Sequence, residues 1–337
     1  MEVYIIFNVL VLVISRFDNK TTKIVRHITD SFFIILIAIV FGFRAQVGAD
    51  WFEYLRLYDL YTYDSDLFNQ IEFGFKGINV LSHYLDLGYQ GVIFISTFLF
   101  VLFTFIGCRL LYINPYLFLG VIFPYYFVMS GMNYIRQSLG LSVFIIYLSF
   151  VINGNKLKGW LSLFFGMSFH KSFLIFSALN MLNDKLRYIF VFSMPISILG
   201  LIFIFSSYSD LYLSSSHYES KGFFLRYFYV SISTLFIFLY KKPFIYKFNS
   251  LVYISFAGCF ILPILSIFST TASDRLSYYF IVLNTVLILS LKNSITKTKY
   301  VNICILGCFL SSQLAFFIWV TWGTIFNFYN FNHLLFG

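Results

Sequence analysis

Residues 90–107 read Q-G-V-I-F-I-S-T-F-L-F-V-L-F-T-F-I-G. No charge interrupts the run, and wound as a helix it is long enough to cross a hydrocarbon core about 30 Å thick. Comparable runs lie near 3–15, 31–43, 115–129, 137–152, 189–206, 224–240, 249–268, 277–291 and 301–319. Composition agrees: 60% of the 337 residues are hydrophobic and 11% charged, where a soluble domain carries roughly 25% charged residues. The sequence therefore predicts an all-α, polytopic membrane protein of about ten transmembrane helices, forming a single transmembrane domain over 1–337. The first run has no preceding basic residue and no small-residue cleavage site after it, so it is expected to be a retained span rather than a signal peptide.

One apolar segment breaks this pattern. Residues 160–182 carry His170 and Lys171 at their middle, and each apolar half is too short to cross alone. Topology decides how to read it. The segment 16–30 holds Arg16, Lys20, Lys23 and Arg26, which places it in the cytoplasm and the N-terminus outside. If 160–182 enters and leaves on one side, cytoplasmic segments take most of the 23 basic residues and only Asp18, Asp30 and Asp184 among the 14 acids. If it crosses once, the lysines at 241, 242, 247, 292, 297 and 299 all move outside. A re-entrant helical hairpin at 160–182 is therefore expected, with both termini outside and 44–90 as the longest outer loop.

Arginine departs from lysine in this scheme. Only Lys76 and Lys221 fall in outer loops, with Lys171 at the hairpin tip, yet Arg44, Arg56, Arg136, Arg226 and Arg275 are all outside. Arginine offers a planar fork of donors that suits phosphate or carboxylate. Arg44, Arg136, Arg226 and Arg275 lie near outer span ends and are expected to form an anion site. The plainer reading is interfacial snorkelling or pairing with a local acid. Arg136 is the strongest single candidate. Ser130, Gly131 and Asn133 break the preceding helix, so Arg136 falls in the first turn of the next, where the helix N-terminus already favours an anion.

The segment 44–90 mixes Asp50, Glu53, Asp59, Asp64, Asp66, Glu72 and Asp86 with Trp51, Tyr54 and further tyrosines. Such a mixture suits sugars, which have an apolar face and a rim of hydroxyls, although an interfacial aromatic belt has the same composition. Asp50 and Glu53, following Arg44, are placed to share a helical face. Asp274 and Arg275 adjoin at a predicted helix start, which reads either as a cap pair or as a site. His170 in an apolar hairpin is an ionisable group at membrane depth, where function and a neutral structural role compete. Cys108, Cys259, Cys304 and Cys308 sit in or at the ends of apolar runs; Cys304 and Cys308 share a helical face, but no His or carboxylate lies beside them, so neither metal, disulfide nor cofactor is expected. The +9 net charge reflects cytoplasmic loops and does not suggest nucleic acid. No Walker loop, dinucleotide fingerprint or Ser/His/Asp pattern is present.

In order, R-A-Q-V-G-A-D (44–50) leading to Tyr54, I-E-F-G-F (71–75), M-N-Y-I-R-Q-S-L (132–139), S-F-H-K-S (168–172) and D-R-L-S-Y-Y-F (274–280) resemble the EpsG-like group of bacterial polysaccharide polymerases, which are similar to Wzy-type O-antigen and capsule polymerases. The resemblance implies a GT-C-like membrane glycosyltransferase of the bacterial inner membrane with its active site facing the periplasm. Donor and acceptor would be glycans on undecaprenyl pyrophosphate, with a chain-length regulator as a further partner. It implies arginines at the leaving pyrophosphate and a base drawn from Asp50, Glu72 or His170, in that order. Trp51, Glu53, Tyr54, Asn133, Gln137 and Asp274 would contact glycan. Three rivals stay open: an O-antigen ligase, a lipid-linked oligosaccharide flippase, disfavoured because no internal repeat is seen, and a membrane O-acyltransferase.

Overall fold

The computed structural model of the chain describes residues 2–18, 21–62, 71–176, 220, 222–239, 241–292, 298–323 and 326–334. Among these the structure is helical, with no strand and one isolated antiparallel bridge between Arg44 and His333. Among the described residues, six helical stretches are long and apolar enough to cross a membrane: Lys23–Gly42, Gly88–Leu110, Ile135–Ile152, Ser250–Phe268, Thr270–Leu291 and Lys299–Trp322. Pro115–Gly131 and Phe223–Leu239 are apolar but shorter. The chain is thus a multi-pass, all-helical membrane protein. The run expected at 189–206 lies outside the described residues, as does 177–182 of the expected hairpin.

The described residues fall into two compact units. The first comprises Met1–Leu174 with Val320–Gly337. Its helices are α1 (Glu2–Asp18), α2 (Lys23–Gly42), α3 (Trp51–Thr62), α4 (Phe73–Tyr84), α5 (Gly88–Leu110), α6 (Pro115–Phe123), α7 (Ile135–Ile152) and α8 (Lys156–Met167). Within the segment 44–90, α3 and α4 are helical and α5 begins at Gly88, while residues 63–70 lie outside the described residues. Short polar residues set several helix starts. The Thr22 hydroxyl accepts from Val25 N, Asn114 Oδ1 from Leu117 N and Asn155 Oδ1 from Lys158 N, each satisfying an N–H that the helix leaves without a partner.

Proline shapes the end of α6. Pro124 has no N–H and crowds the preceding turn, and the chain continues as a π-helix, Pro124–Gly131, whose wide pairing persists at Met132 N to Phe127 O, 3.1 Å. Phe123 and Phe127 stack at 5.3 Å and pack with Phe7, while Phe127 meets Phe41 edge to face at 4.8 Å. This aromatic core ties α1, α2 and α6 together.

The opposite end of the unit is closed by charge. Arg109 donates to Asp18 at 2.6 and 2.8 Å and to Asp30 at 2.8 and 2.9 Å, and Tyr116 donates to Asp30 at 2.8 Å. Four helix ends, those of α1, α2, α5 and α6, meet in this cluster.

The second unit, Ile175–Trp319, contains α9 (Phe223–Leu239), α10 (Lys241–Phe268), α11 (Thr270–Lys292) and most of α12 (Thr298–Trp322). Its middle is joined by polar side chains rather than charges. Asn284 Nδ2 donates to Ser233 Oγ at 2.8 Å and Thr234 Oγ1 at 3.0 Å, and the hydroxyls of Tyr229 and Thr285 pair at 2.8 Å. With no water in the bilayer to compete, such bonds fix helix register. Pro263 interrupts α10 and deprives the Cys259 carbonyl of its helical donor, and the Tyr227 hydroxyl takes that place at 3.0 Å.

Candidate functional site

The loop 43–50 and the turn 130–134 dock onto each other at one end of the first unit. Arg44 is 1% exposed and turned inward. Its Nη1 donates to Phe41 O at 2.8 Å and Thr97 Oγ1 at 3.1 Å, and its Nη2 to Met132 O at 3.2 Å. Arg44 was expected at an outer anion site; its two terminal nitrogens are engaged by protein oxygens, which braces the loop, and its buried Nε, like that of Arg136, has no acceptor among the described residues. Gly48 has φ +112°, and a Cβ there would come within 2.6 Å of Met132 O, so no other residue fits without displacing the turn. Asn133 Oδ1 then accepts from Asp50 N at 2.9 Å, which sets the half-buried Asp50 at the start of α3.

Arg136 emerges beside this junction. The break expected at 130–133 is present, and Arg136 stands in the first turn of α7, whose N-cap, Tyr134, makes no side-chain capping bond. Arg136 Nη1 donates to Glu72 Oε2 at 2.7 Å, with side-chain exposures of 25% and 6%. Its guanidinium lies 5.9 Å from the centre of the Tyr54 ring. Arg136 Nε is buried and has no protein acceptor among the described residues. The guanidinium thus holds Glu72 and, through a second side-chain hydrogen bond, Tyr54, and Nε is the donor left over.

Glu72 is the N-cap residue of α4 yet makes no capping bond, because its carboxylate reaches Arg136 instead. Burial alone would raise this carboxylic acid. The charges of Arg136 and His170, with hydrogen bonds from its own backbone and from Arg136, outweigh burial and hold Glu72 below the usual carboxylate range. It is therefore a stable anion and a weak proton acceptor.

His170 reaches the same site from α8. That helix ends at Met167, and the turn after it meets α4 where Gly74 N donates to Ser168 O at 2.6 Å. A Cβ on Gly74 would collide with the Ser168 hydroxyl, so the glycine permits the contact. The Ser172 hydroxyl pairs with His170 Nδ1 at 2.6 Å, and the Ser172 backbone N–H points at the same atom at 3.3 Å. Ser172 was not singled out from the sequence, although its place two residues after His170 is the signal for such a local bond.

Several expected glycan contacts are placed otherwise. Trp51 and Tyr54 are buried, packed edge to face on Tyr89 at 5.1 Å and on Phe75 at 5.6 Å. Their rings build the small core between α3, α4 and α5 instead of an open platform. Glu53 does not join Asp50: it pairs with Arg56 at 3.0 Å, and both are well exposed. Gln137 is buried, and Asn133 is occupied with Asp50 N.

The second unit holds a charged pair of its own. Arg226 Nη1 donates to the fully buried Asp274 at 2.5 Å, and the guanidinium stacks 4.8 Å from the centre of the Tyr278 ring. Asp274 was expected at a helix start, where a cap pair with Arg275 was one reading. The helix begins at Thr270 and its start is capped by Ser269, whose hydroxyl accepts from Ala272 N at 3.2 Å, which leaves Asp274 to Arg226. Tyr278 was missed, although it lies one turn after Asp274 on the same face. Arg275, in the same unit, is half-buried. The four cysteines are free thiols.

No curated protein and no solved structure shows a significant match to this chain. A family model does match, across residues 27–333, and that span takes in Arg44, Asp50, Glu72, Arg136, His170, Arg226 and Asp274. The description of that family is the EpsG family. With nearly its whole length covered, the chain belongs to the EpsG family of membrane proteins associated with polysaccharide biosynthesis.

Proposed function

We propose that this protein is a membrane glycosyltransferase that joins oligosaccharide repeat units carried on undecaprenyl pyrophosphate into a polysaccharide of the Wzy type, O-antigen or capsule. Its site faces the periplasm from the inner membrane, and the fold is GT-C-like with ten spans and a re-entrant hairpin. The observation that carries this reading is Arg136. It stands at a helix N-terminus with one edge of its fork on Glu72 and a buried Nε that no protein group among the described residues accepts. Family membership supports the substrate class.

In the proposed reaction the acceptor hydroxyl attacks the anomeric carbon of the donor glycan. The bond from that carbon to the pyrophosphate oxygen breaks, and its electron pair leaves with the pyrophosphate. Arg136 and the positive end of α7 meet the charge that accumulates there. The hydroxyl proton passes to Asp50. Glu72 is a weak base because its ionised form is already stabilised, and it serves to hold Arg136 in place. Arg226 and Arg275 are proposed anion contacts in the second unit, argued from residue type alone. A chain-length regulator is a proposed partner.

The test is a carbohydrate-stained gel of surface glycolipid from cells with and without the gene. Loss of the long ladder, with single repeats still attached to core, supports polymerisation. Loss of all repeats points to export or ligation, and a shifted but intact ladder to acylation. An unchanged ladder overturns the proposal.

A further inference from the structure

The last stretch of the chain belongs to the first unit, not the second, and it lies along the loop that carries Asp50. Ala45 N donates to Asn332 O at 2.9 Å, Gly48 N to Phe328 O at 2.8 Å, and Leu334 N to Phe43 O at 3.0 Å. Two side chains pin the segment at its flanks. The Tyr4 hydroxyl donates to Tyr329 O at 2.8 Å, and His333 Nε2 to Ile39 O at 3.3 Å. The Phe331 ring fits between Tyr4, 5.9 Å away, and Phe41, 5.6 Å away.

The loop needs such support. Gln46 has φ 56° and Gly48 has φ 112°, so the backbone runs through the left-handed region twice within three residues. Conformations of this kind persist only where the surroundings over-determine them. On one side Met132 and Asn133 supply the contacts already described. On the other, among the described residues, the N–H groups of Ala45 and Gly48 and the carbonyl of Phe43 are satisfied by the terminal segment. Asp50 follows two residues after Gly48.

We propose that residues 326–334 are a positioning strap that fixes Asp50 for proton transfer without touching substrate. The bonds run mostly through main chain, so the strap acts by its path more than by its side chains. The family match extends to residue 333, within the strap. This inference rests on the proposed role of Asp50, but the strap itself is testable apart from that role.

The experiment places a site-specific protease sequence between Gly323 and Phe326 in the full-length protein, which is purified and then cut. Two readouts follow: amide hydrogen exchange over 43–50, and polymerisation of lipid-pyrophosphate-linked repeat units. On cutting and washing, exchange at Ala45 and Gly48 should rise at least tenfold. The kcat should fall about 100-fold, the scale on which displacing a reacting group by an ångström acts, with KM changed less than about threefold. Adding a peptide of residues 324–337 should restore both. Unchanged exchange after removal of the segment overturns the strap, as does a lost kcat that the peptide fails to restore or a loss carried by KM. If the uncut protein makes no polymer, the functional proposal fails instead, while the exchange readout still decides the strap. Phe331→Ala, which leaves the main-chain path intact, should give a partial loss that the same peptide relieves; full loss beyond rescue would contradict the account.

Discussion

Replacing Arg109 with leucine removes the centre of the charged cluster that joins four helix ends. Asp18 and Asp30 side chains are 4% and 11% exposed, and Arg109 itself 24%. The substitution removes four hydrogen bonds from one guanidinium to two buried carboxylates, leaving Asp18 with Arg26 at 3.6 Å and Asp30 with the Tyr116 hydroxyl. Removing one partner of a buried ion pair costs about 3–5 kcal/mol, because the remaining charge keeps its desolvation penalty. Since a quarter of Arg109 meets solvent, the lower figure applies, and about 3 kcal/mol corresponds to a fall of roughly 6–12 °C in melting temperature. The assay is thermal unfolding of detergent-solubilised protein, followed by the loss of the monodisperse peak after heating. Neutralising the stranded acids as well, in Arg109→Leu with Asp18→Asn and Asp30→Asn, should recover most of the loss, because uncharged groups carry no such penalty. A single variant that melts within about 2 °C of wild type, or a triple variant no better than the single, refutes this view of the cluster.

Gly48→Ala should disturb the loop twice, through a left-handed backbone and through the collision with Met132 O. Its polymerisation rate should drop at least tenfold while the helical circular dichroism is kept; a variant with normal rate would contradict the fit of loop to turn. Glu72 gives a pH-dependent prediction with a definite sign. Its acidity is raised in the folded protein, so its contribution to stability is full above the unfolded value, about 4.3, and lost as pH falls through that value toward the lower folded one. The melting-temperature gap between wild type and Glu72→Gln should therefore narrow as pH falls below about 4.3, and a constant gap would show that the carboxylate charge is not what holds Arg136.

Membrane class and most helix positions were legible because the length of an apolar run bears directly on bilayer thickness. The first expected span and α1, or the fifth and α7, agree within a few residues. The helices α3 and α4 were not legible. Their polar and aromatic composition fits a loop or a belt as well as a helix, and only packing among Trp51, Tyr54, Phe75 and Tyr89 decides between them. The start of α11 was read too late, since S-D-R resembles a loop when Ser269 is overlooked as the cap. Arg136 and the helix break before it could be placed because glycine, serine and asparagine mark such breaks locally. The inward bonds of Arg44 were not legible for the opposite reason: two of its partners, Thr97 and Met132, lie 53 and 88 positions away, a distance over which neither spacing nor charge counting has any reach. The strap lay equally beyond reading, as main-chain bonds leave no pattern in side chains.

The central claim is that the buried Nε of Arg136, the donor that neither Glu72 nor Tyr54 takes, meets the leaving pyrophosphate. The direct measurement is the rate of polymer formation by purified Arg136→Lys and Arg136→Ala proteins, with lipid-pyrophosphate-linked repeats as donor and acceptor and melting temperatures checked alongside. A lysine provides one point charge and cannot hold Glu72 and a phosphate oxygen together. The account predicts that both variants lose at least 100-fold in kcat, the scale of removing one preorganised donor, with folding intact. Wild-type rates and chain lengths from both variants would contradict it.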